Sequence, residues 1–187
     1  YWWGTFGQVA SENLLRQKSA QYPTQYKADD YKSQYGKNVH DCVGLIKGYM
    51  WTENNKINYN ASQDKNVSGM LRNCTEQGTM ETMPDLIGVL VFMDGHVGIY
   101  IGNGKVIEAR GHAYGVVETN LVGRGWTKWG KLNWIKYVKK EFTREEKIQL
   151  VKEKIGYNDN TCKYIFDMYK YGDEALDKLV KTLQDNE

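Results

Sequence analysis

The sequence predicts an α+β fold, in which helices packed on a central antiparallel β-sheet are followed by a small all-helical appendage. Three observations carry this prediction. Apolar residues follow helical spacing from position 42 onward, and three short apolar segments are then separated by tight turns. Helical spacing returns after residue 138. We therefore expect two domains, residues 1–138 and residues 139–187.

The first part of the chain has helical signals. Residues 10–20 form a short amphipathic pattern with Ser11 as the expected N-cap. The segment that starts at Cys42 has apolar residues at helical spacing, and Asp41 directly precedes it as a second expected N-cap. Cys42 should therefore lie in the first turn of a helix. Residues 67–77 are predicted to form a further helix.

Strand signals begin after residue 85. Residues 86–92, 96–102 and 105–111 are short and rich in β-branched residues, and the turns between them contain Asp94-Gly95 and Asn103-Gly104. Such dipeptides between apolar runs are the strongest short-range signal of a β-hairpin. Two more strands are predicted, over residues 114–121 and residues 132–138.

The last part of the chain has clear helix boundaries. The sequence TREE at 143–146 is a capping box, and Gly156 is the expected end of the helix that it starts. A second helix is predicted from about Thr161 to Tyr171, and a third after Asp173. This pattern resembles no family, so wall binding, oligomerisation and covering of the first domain all stay open for residues 139–187.

Composition excludes several classes of protein. The 187 residues carry a net charge of only +2, with basic and acidic residues interspersed, which argues against a nucleic-acid binder. The 3 Cys have no paired spacing, and metal-ligand motifs are absent, so we expect neither a disulfide framework nor a metal or other cofactor. No apolar run is long enough to span a bilayer. The sequence opens inside a motif, so the lack of a visible signal peptide indicates little.

The first candidate for chemistry is Cys42. At a helix N-terminus, unpaired backbone N–H groups favour a thiolate, and we expect a lowered thiol pKa there. A thiolate is a nucleophile for acyl transfer. The alternative is a buried structural cysteine, which is the interpretation that we also give to Cys74 and Cys162.

Two later residues complete a candidate catalytic set. His96 opens a predicted strand and could act as the base, whereas a turn histidine without a partner is the alternative. Glu108 lies one strand later, close to His96 across the turn, and could orient the imidazole. A carboxylate within an apolar strand is costly unless it is paired, although an outward-facing position is the alternative. His40 and His112 are competing histidines.

These residues carry a resemblance to a known family. The segments YWWGTFG, HDCVGLIKGY and DGHVGIYIGNGKVIEA together resemble the NlpC family of papain-like cell-wall cysteine peptidases, most of all those of phage endolysins and Gram-positive mobile elements. The resemblance spans residues 1 to about 138 and implies a papain-like fold. It implies Cys42 as nucleophile, His96 as general base, Glu108 as third member, and Tyr1 as the tyrosine that borders the nucleophile and helps the oxyanion hole.

The sequence departs from the family pattern at two positions. Val43 stands where the family has Ser, and Glu108 stands where it usually has His. Glutamate occurs at the latter position in the related CHAP amidases. The resemblance therefore implies a peptidoglycan hydrolase that cuts an amide bond of the muropeptide stem, with endopeptidase favoured. An N-acetylmuramoyl-L-alanine amidase and an acyltransferase or transglutaminase are alternatives, and a non-enzymatic wall-binding module is the least favoured. The expected place of action is the cell wall, reached by export or by holin-mediated release.

Aromatic and basic residues are candidates for substrate contacts. The candidate groove walls are Trp2, Trp3, Trp126 and Trp129, for which core packing is an equal alternative. Arg110 and Arg124 could meet substrate carboxylates, but for each of them we favour a solvated surface position.

Overall fold

The computed structural model of the chain describes residues 1–28, 30–137 and 142–185. The chain divides into two compact units, Tyr1–Val138 and Lys139–Glu187. The described part of the first unit contains the α-helices α1 (Glu12–Gln21), α2 (Cys42–Trp51) and α3 (Val67–Arg72). Among the described residues, no helix is both long and apolar enough to cross a bilayer.

Within the described residues of the first unit, the strands form one large sheet and two small ones. In chain order they are β1 (Phe6–Val9), β2 (Asn38–His40), β3 (Thr52–Glu53), β4 (Lys56–Ile57), β5 (Cys74–Thr79), β6 (Leu90–Met93), β7 (His96–Gly102), β8 (Lys105–Ala109), β9 (Val116–Asn120) and β10 (Lys128–Leu132). The large sheet is antiparallel with the order β5-β10-β6-β7-β8-β9, while β1 pairs with β2 and β3 with β4. The predicted α+β class is confirmed.

The meander from β6 to β9 follows the predicted turns. Asn103 and Gly104 both have positive φ angles, 53° and 66°, as a type I′ hairpin turn requires. The β7–β8 register pairs Ile99 with Ile107. Continuing this register places Glu108 opposite Gly98 and diagonal to His96, so the predicted neighbourhood of the two polar residues is confirmed.

Two element predictions are wrong. The strand predicted over residues 132–138 is β10, which ends at Leu132; its predicted last residue, Val138, lies outside the described residues. The helix predicted over residues 67–77 ends at Arg72, and β5 follows it. The strand β5 lies at the edge of the sheet and has mostly exposed polar side chains, so it lacks the apolar alternation that marks a buried strand.

Apolar side chains cover both faces of the large sheet. On one face, α2 and α3 pack through a cluster that includes Ile46, Met70 and Phe92. On the other face, a second cluster includes Val91, Tyr100, Val106, Trp126 and Trp129. Burial of each such large side chain contributes about 1.5–3 kcal/mol relative to exposure. Packing on both faces holds the sheet in place, and the first cluster holds α2 against it.

The N-terminal segment lies directly on α2. A Cβ atom at Gly44 would lie 1.8 Å from the carbonyl oxygen of Thr5, and one at Gly48 would lie 2.4 Å from that of Phe6. Gly44 and Gly48 are one helical turn apart, so they lie on the same face of α2. Because neither glycine has a side chain, the backbone of Thr5 and Phe6 can pack directly on this face. This close approach brings the first residues of the chain to the N-terminus of α2.

The second unit is helical, as predicted. It contains α4 (Arg144–Ile155), α5 (Asp159–Cys162), a π-helical turn (Lys163–Asp167) and α6 (Gly172–Asp185). The capping box between Thr143 and Glu146 and the left-handed Gly156 are confirmed. A cluster that includes Val151, Cys162, Phe166, Leu176 and Val180 forms its core.

Candidate active site

Asp41 fixes the start of α2, where Cys42 is the first helical residue. One carboxylate oxygen of Asp41 accepts a hydrogen bond from the backbone N–H of Gly44 at 2.5 Å, which confirms the predicted N-cap. The other oxygen accepts from the backbone N–H of Gly4 at 2.9 Å. One side chain therefore joins the helix that carries Cys42 to the N-terminal segment that carries Tyr1.

The thiol of Cys42 is buried, and its side chain lies in the core cluster between α2 and the sheet. Burial and then the neighbouring charge of Asp41 raise its pKa to about 11, although backbone N–H groups, including those of Val43 and Val97, act in the opposite direction. The predicted lowering of this pKa is wrong, because the helix N-terminus is too weak to offset burial beside a carboxylate. At neutral pH the thiol therefore needs a base to become a nucleophile.

His96 and Glu108 meet as predicted. The distance between Nε2 of His96 and Oε2 of Glu108 is 2.7 Å, and the Glu108 side chain has no exposed surface. Burial raises the pKa of Glu108, but hydrogen bonds from Arg124, Thr119 and His96 outweigh it, and the net pKa lies below its usual value. An ionised carboxylate only accepts hydrogen bonds, so Nε2 of His96 is the donor. Nδ1 is then the imidazole nitrogen that remains available to the thiol.

Arg124 and Thr119 complete the surroundings of Glu108. Nε and Nη2 of Arg124 donate to the two oxygens of Glu108 at 2.8 and 2.7 Å, and the hydroxyl of Thr119 donates at 2.7 Å. The solvated position that we favoured for Arg124 is therefore wrong. A glutamate in an apolar strand indicates that a cationic partner is needed. Arg124 lies 16 residues after Glu108, and no short sequence pattern identifies it as that partner.

Trp126 packs on the imidazole. The rings of Trp126 and His96 are stacked, with centroids 5.7 Å apart and an interplanar angle of 15°. Gly98, two residues along β7, leaves room for this indole, because a Cβ atom there would lie 3.0 Å from the Trp126 ring and 2.5 Å from Val106. Trp126 is buried and is therefore a support for His96 and not a wall of an open groove.

The backbone of β7 and Tyr1 both lie close to the thiol. The backbone N–H of Val97, the residue next to His96, is one of the groups that act to lower the pKa of Cys42. Burial, followed by the charges of Cys42 and Asp41, raises the pKa of the Tyr1 phenol far above its usual value. Tyr1 therefore stays protonated at neutral pH and remains a hydrogen-bond donor beside the thiol.

A cleft of about 280 Å³ opens beside His96. Its lining residues are Tyr1, Trp3, Gln25, Tyr31, His96, Ala109, Arg110, Gly111 and His112. Trp3 is 40 % exposed, and the guanidinium of Arg110 lies 4.3 Å from the ring centroid of Tyr114. His112 hydrogen bonds to Asp30 and packs on Tyr31. The lining, taken over the described residues, holds an arginine and two histidines but no carboxylate.

The structure places the other predicted groove residues in the core. Trp2 is fully buried, packs edge-on against Tyr31 at 5.5 Å, and donates from Nε1 to Gln34. Trp129 is buried and donates from Nε1 to Thr82 at 3.0 Å. For both residues, core packing is the correct alternative, because each indole is enclosed and its N–H is already bonded.

His40 and the other two cysteines have packing roles. His40 is half-buried between Gly7 and Gly48, where burial lowers its pKa. Cys74 packs in the same core cluster as Cys42, and Cys162 lies in the core of the second unit, which fits the structural role predicted for both. Across the part of the chain that the structure describes, no group of three or more His, Cys, Asp or Glu is placed to hold a metal ion.

A cysteine at a helix N-terminus, packed on an antiparallel sheet that carries a histidine–carboxylate pair, is the arrangement found in papain-like folds. The model of the NlpC/P60 family matches residues 14–134, and the chain belongs to that family. The resemblance inferred from the three sequence segments is thereby confirmed.

Two solved structures are similar to this chain. The first is the peptidoglycan hydrolase RipB from Mycobacterium tuberculosis, with 19% identity and a TM-score of 0.38 over 56% of this chain and 50% of that chain. The second is the P60 domain of the antigen MAP1204 from M. avium subspecies paratuberculosis, with 20% identity and a TM-score of 0.38 over 60% of this chain and 76% of that chain. The match thus spans half the length of RipB. No curated protein sequence gives a match.

Proposed function

We propose that the first unit hydrolyses an amide bond in the peptide stem of bacterial peptidoglycan, with Cys42 as nucleophile, His96 as general base and Glu108 as the third member. The observation that carries the proposal is the 2.7 Å hydrogen bond between His96 and Glu108, next to the N-terminus of α2. Membership of the NlpC/P60 family supports it. An endopeptidase is the favoured activity.

Catalysis begins with activation of the thiol. Nδ1 of His96 accepts the proton of Cys42, and the resulting imidazolium is stabilised by the ionised Glu108 through Nε2. Because the thiol alone has a pKa of about 11, proton transfer to His96 is what supplies thiolate at neutral pH. The backbone N–H groups at the start of α2 stabilise that thiolate.

The thiolate then attacks the amide carbonyl carbon, and the carbonyl oxygen becomes an oxyanion. The backbone N–H of Cys42 and the hydroxyl of Tyr1 are the proposed donors to this oxyanion. Removal of one such donor costs about 2.7–4 kcal/mol in related mechanisms. The raised pKa of Tyr1 suits this role, because a phenol that stays protonated can donate.

Collapse of the tetrahedral intermediate breaks the C–N bond. The imidazolium of His96 gives its proton to the leaving amine, and the acyl group stays on Cys42 as a thioester. His96 then removes a proton from water, whose oxygen attacks the thioester carbonyl. Collapse of this second tetrahedral intermediate breaks the C–S bond, and the imidazolium gives the proton taken from water to the sulfur of Cys42. The amide and one water thus become a carboxylic acid and an amine, and the free thiol is restored.

The cleft beside His96 supports an acidic peptide as substrate. Arg110 lines it and can pair with a carboxylate of a muropeptide stem, while the exposed ring of Trp3 can pack against its apolar atoms. We keep Trp3 and Arg110 as proposed substrate-binding residues.

A second candidate activity is that of an N-acetylmuramoyl-L-alanine amidase. Glu108 in place of the usual family histidine favours it, because the related CHAP amidases have glutamate there. An acyltransferase would use the same thioester with an amine or alcohol in place of water.

The second unit is proposed to bind the wall or to mediate oligomerisation. Action at the cell wall, after export or holin-mediated release, and an origin in a phage lysin are parts of the same proposal.

The test is digestion of purified Gram-positive sacculi. Wild-type protein should release soluble fragments, and their masses and new termini identify the bond that is cut. A new carboxyl and a new amine on two neighbouring amino acids of the peptide indicate an endopeptidase, whereas a free lactyl carboxyl on the muramic acid together with a free amine on the first stem amino acid indicates an amidase. The control is Cys42→Ala, for which we expect no release, since truncation of a catalytic nucleophile costs about 10⁶-fold in comparable enzymes. Equal release by both proteins would refute the mechanism.

A further inference from the structure

We propose that Arg124 is a positioning residue of this site, which holds the Glu108 carboxylate charged and correctly oriented and thereby fixes the imidazole of His96. No step of the thiol mechanism requires Arg124 to touch the substrate. This inference adds a residue to the proposed catalytic site. It depends on the proposed function only for the expected effect of Arg124 on the rate of substrate hydrolysis.

The contacts around Glu108 give the first argument. Oε2 accepts from His96 Nε2 and from Arg124 Nη2, and Oε1 accepts from Arg124 Nε and from the Thr119 hydroxyl. The carboxylate thus has four donors within 2.8 Å, two of which belong to one planar guanidinium. Such a bidentate pair fixes the plane of the carboxylate as well as its position. The plane of the carboxylate in turn sets the direction in which Nε2 of His96 must point.

Charge gives the second argument. Glu108 has no exposed surface, whereas the Arg124 side chain retains 23 % exposure. A fully buried carboxylate without a cation would take up a proton or destabilise the fold. A protonated Glu108 would no longer be an acceptor at both oxygens, and the orientation of His96 would be lost. Arg124 therefore keeps the third member of the site in its ionised form.

Trp126 adds a second constraint from the same segment. Its ring stacks on His96, and the guanidinium of Arg124 lies 5.6 Å from its centroid. Arg124 and Trp126 are two residues apart in the chain, so one short segment after β9 supports both the imidazole and its carboxylate partner. Displacement of Arg124 should therefore loosen His96 through both contacts.

The experiment measures the reactivity of Cys42, which does not depend on the natural substrate. Wild type, Arg124→Met and Arg124→Lys are treated with iodoacetamide at pH 7, and alkylation of Cys42 is followed by peptide mass spectrometry. We expect Arg124→Met to react about 100-fold more slowly, the effect typical of a misplaced catalytic group. Arg124→Lys keeps the positive charge but cannot form the two parallel hydrogen bonds of a guanidinium, so its alkylation rate should lie between those of Arg124→Met and wild type. The matched control is Lys105→Met, which removes an exposed cation from β8 and should leave the rate unchanged.

A double-variant comparison separates positioning from folding. If Arg124 acts through Glu108, Arg124→Met should cause little further loss in a Glu108→Gln background. The double variant has no buried carboxylate charge at position 108 that would lack its cation. Its comparison with Glu108→Gln therefore tests the positioning role even if Arg124→Met alone proves to be unfolded in a thermal melt. A wild-type alkylation rate in Arg124→Met, or an equal loss with and without Glu108, would overturn the proposal. If Arg124→Met slows alkylation but wild type releases nothing from sacculi, the proposed function fails and the positioning role stands.

Discussion

Two buried carboxylates adjoin the two halves of the proposed site, and the chain holds them in opposite ways. Asp41, beside Cys42, is 8 % exposed, and backbone N–H groups of Gly4 and Gly44 are its hydrogen-bond donors. Burial raises its pKa above the ordinary value, more than these groups and Lys47 lower it. Glu108, beside His96, accepts hydrogen bonds from the guanidinium of Arg124, and its pKa lies below the ordinary value.

The comparison shows what a formal cation adds to a buried acid. Backbone amides satisfy the hydrogen-bonding capacity of Asp41 but leave its charge largely uncompensated, and that charge raises the pKa of the neighbouring thiol. Arg124 neutralises Glu108, so the acid can stay ionised next to His96. Asp41 therefore holds the start of α2 against the N-terminal segment, whereas Glu108 supplies a negative charge beside His96.

The largest effect on the base side should come from Glu108→Gln. This change keeps the shape of the side chain but removes its charge and presents an N–H₂ group to one of its donors. We expect a loss of about 10⁴-fold in the rate of muropeptide cleavage, as for an equivalent change in a serine triad. The matched variant Asp41→Asn should lose far less, because an amide oxygen can still cap α2. Steady-state rates with purified muropeptides test the pair; equal losses would contradict the division of roles.

Stability at different pH values should separate the two acids by sign. The lowered pKa of Glu108 means that its stabilisation is present above the ordinary value of 4.5 and is lost as the pH falls through its folded-state pKa. The raised pKa of Asp41 acts the other way: its contribution is fully present below 3.8 and is lost as the pH rises through its folded-state pKa.

Urea unfolding from pH 3 to pH 7 measures this difference. The stability advantage of wild type over Glu108→Gln should shrink as the pH falls, whereas its advantage over Asp41→Asn should grow. The same sign for both variants would show that Arg124 does not compensate Glu108 in solution.

The packing behind His96 should be sensitive to Gly98→Ala. The added methyl would lie 2.5 Å from Val106 and 3.0 Å from Trp126, so we expect a loss of about 1–3 kcal/mol in the free energy of unfolding. The matched control is Gly130→Ala, whose methyl would lie 2.5 Å from the sulfur of Cys74, away from the site. Both should be destabilised, but only Gly98→Ala should slow alkylation of Cys42. A slower reaction in Gly130→Ala would indicate a general effect of instability.

The smallest expected effect is on the titration of the thiol. Asp41→Asn removes one of the charges that raise the pKa of Cys42, so the alkylation rate should reach its half-maximum at a lower pH than in wild type. Quenched alkylation reactions from pH 7 to pH 12 measure this midpoint. A midpoint that stays in place would mean that burial alone raises the pKa.

Local signals were enough to predict the elements that carry Cys42, His96 and Glu108. A cap directly before an apolar run predicted the start of α2, and the Asn103-Gly104 turn fixed the register that brings His96 close to Glu108. Arg124 was missed because its partner is set by the path of the chain after β9, which no short-range pattern encodes. The pKa of Cys42 was predicted in the wrong direction because burial depends on tertiary packing.

The central claim is that Cys42 and His96 act as one unit, and alkylation of Cys42 in wild type and His96→Ala tests it most directly. A lone thiol with a pKa of about 11 would be ionised to only about one part in 10⁴ at pH 7. We therefore expect wild type to react with iodoacetamide at pH 7 far faster than His96→Ala, with the gap closing as the pH approaches 11. Equal rates in the two proteins at pH 7 would contradict the account.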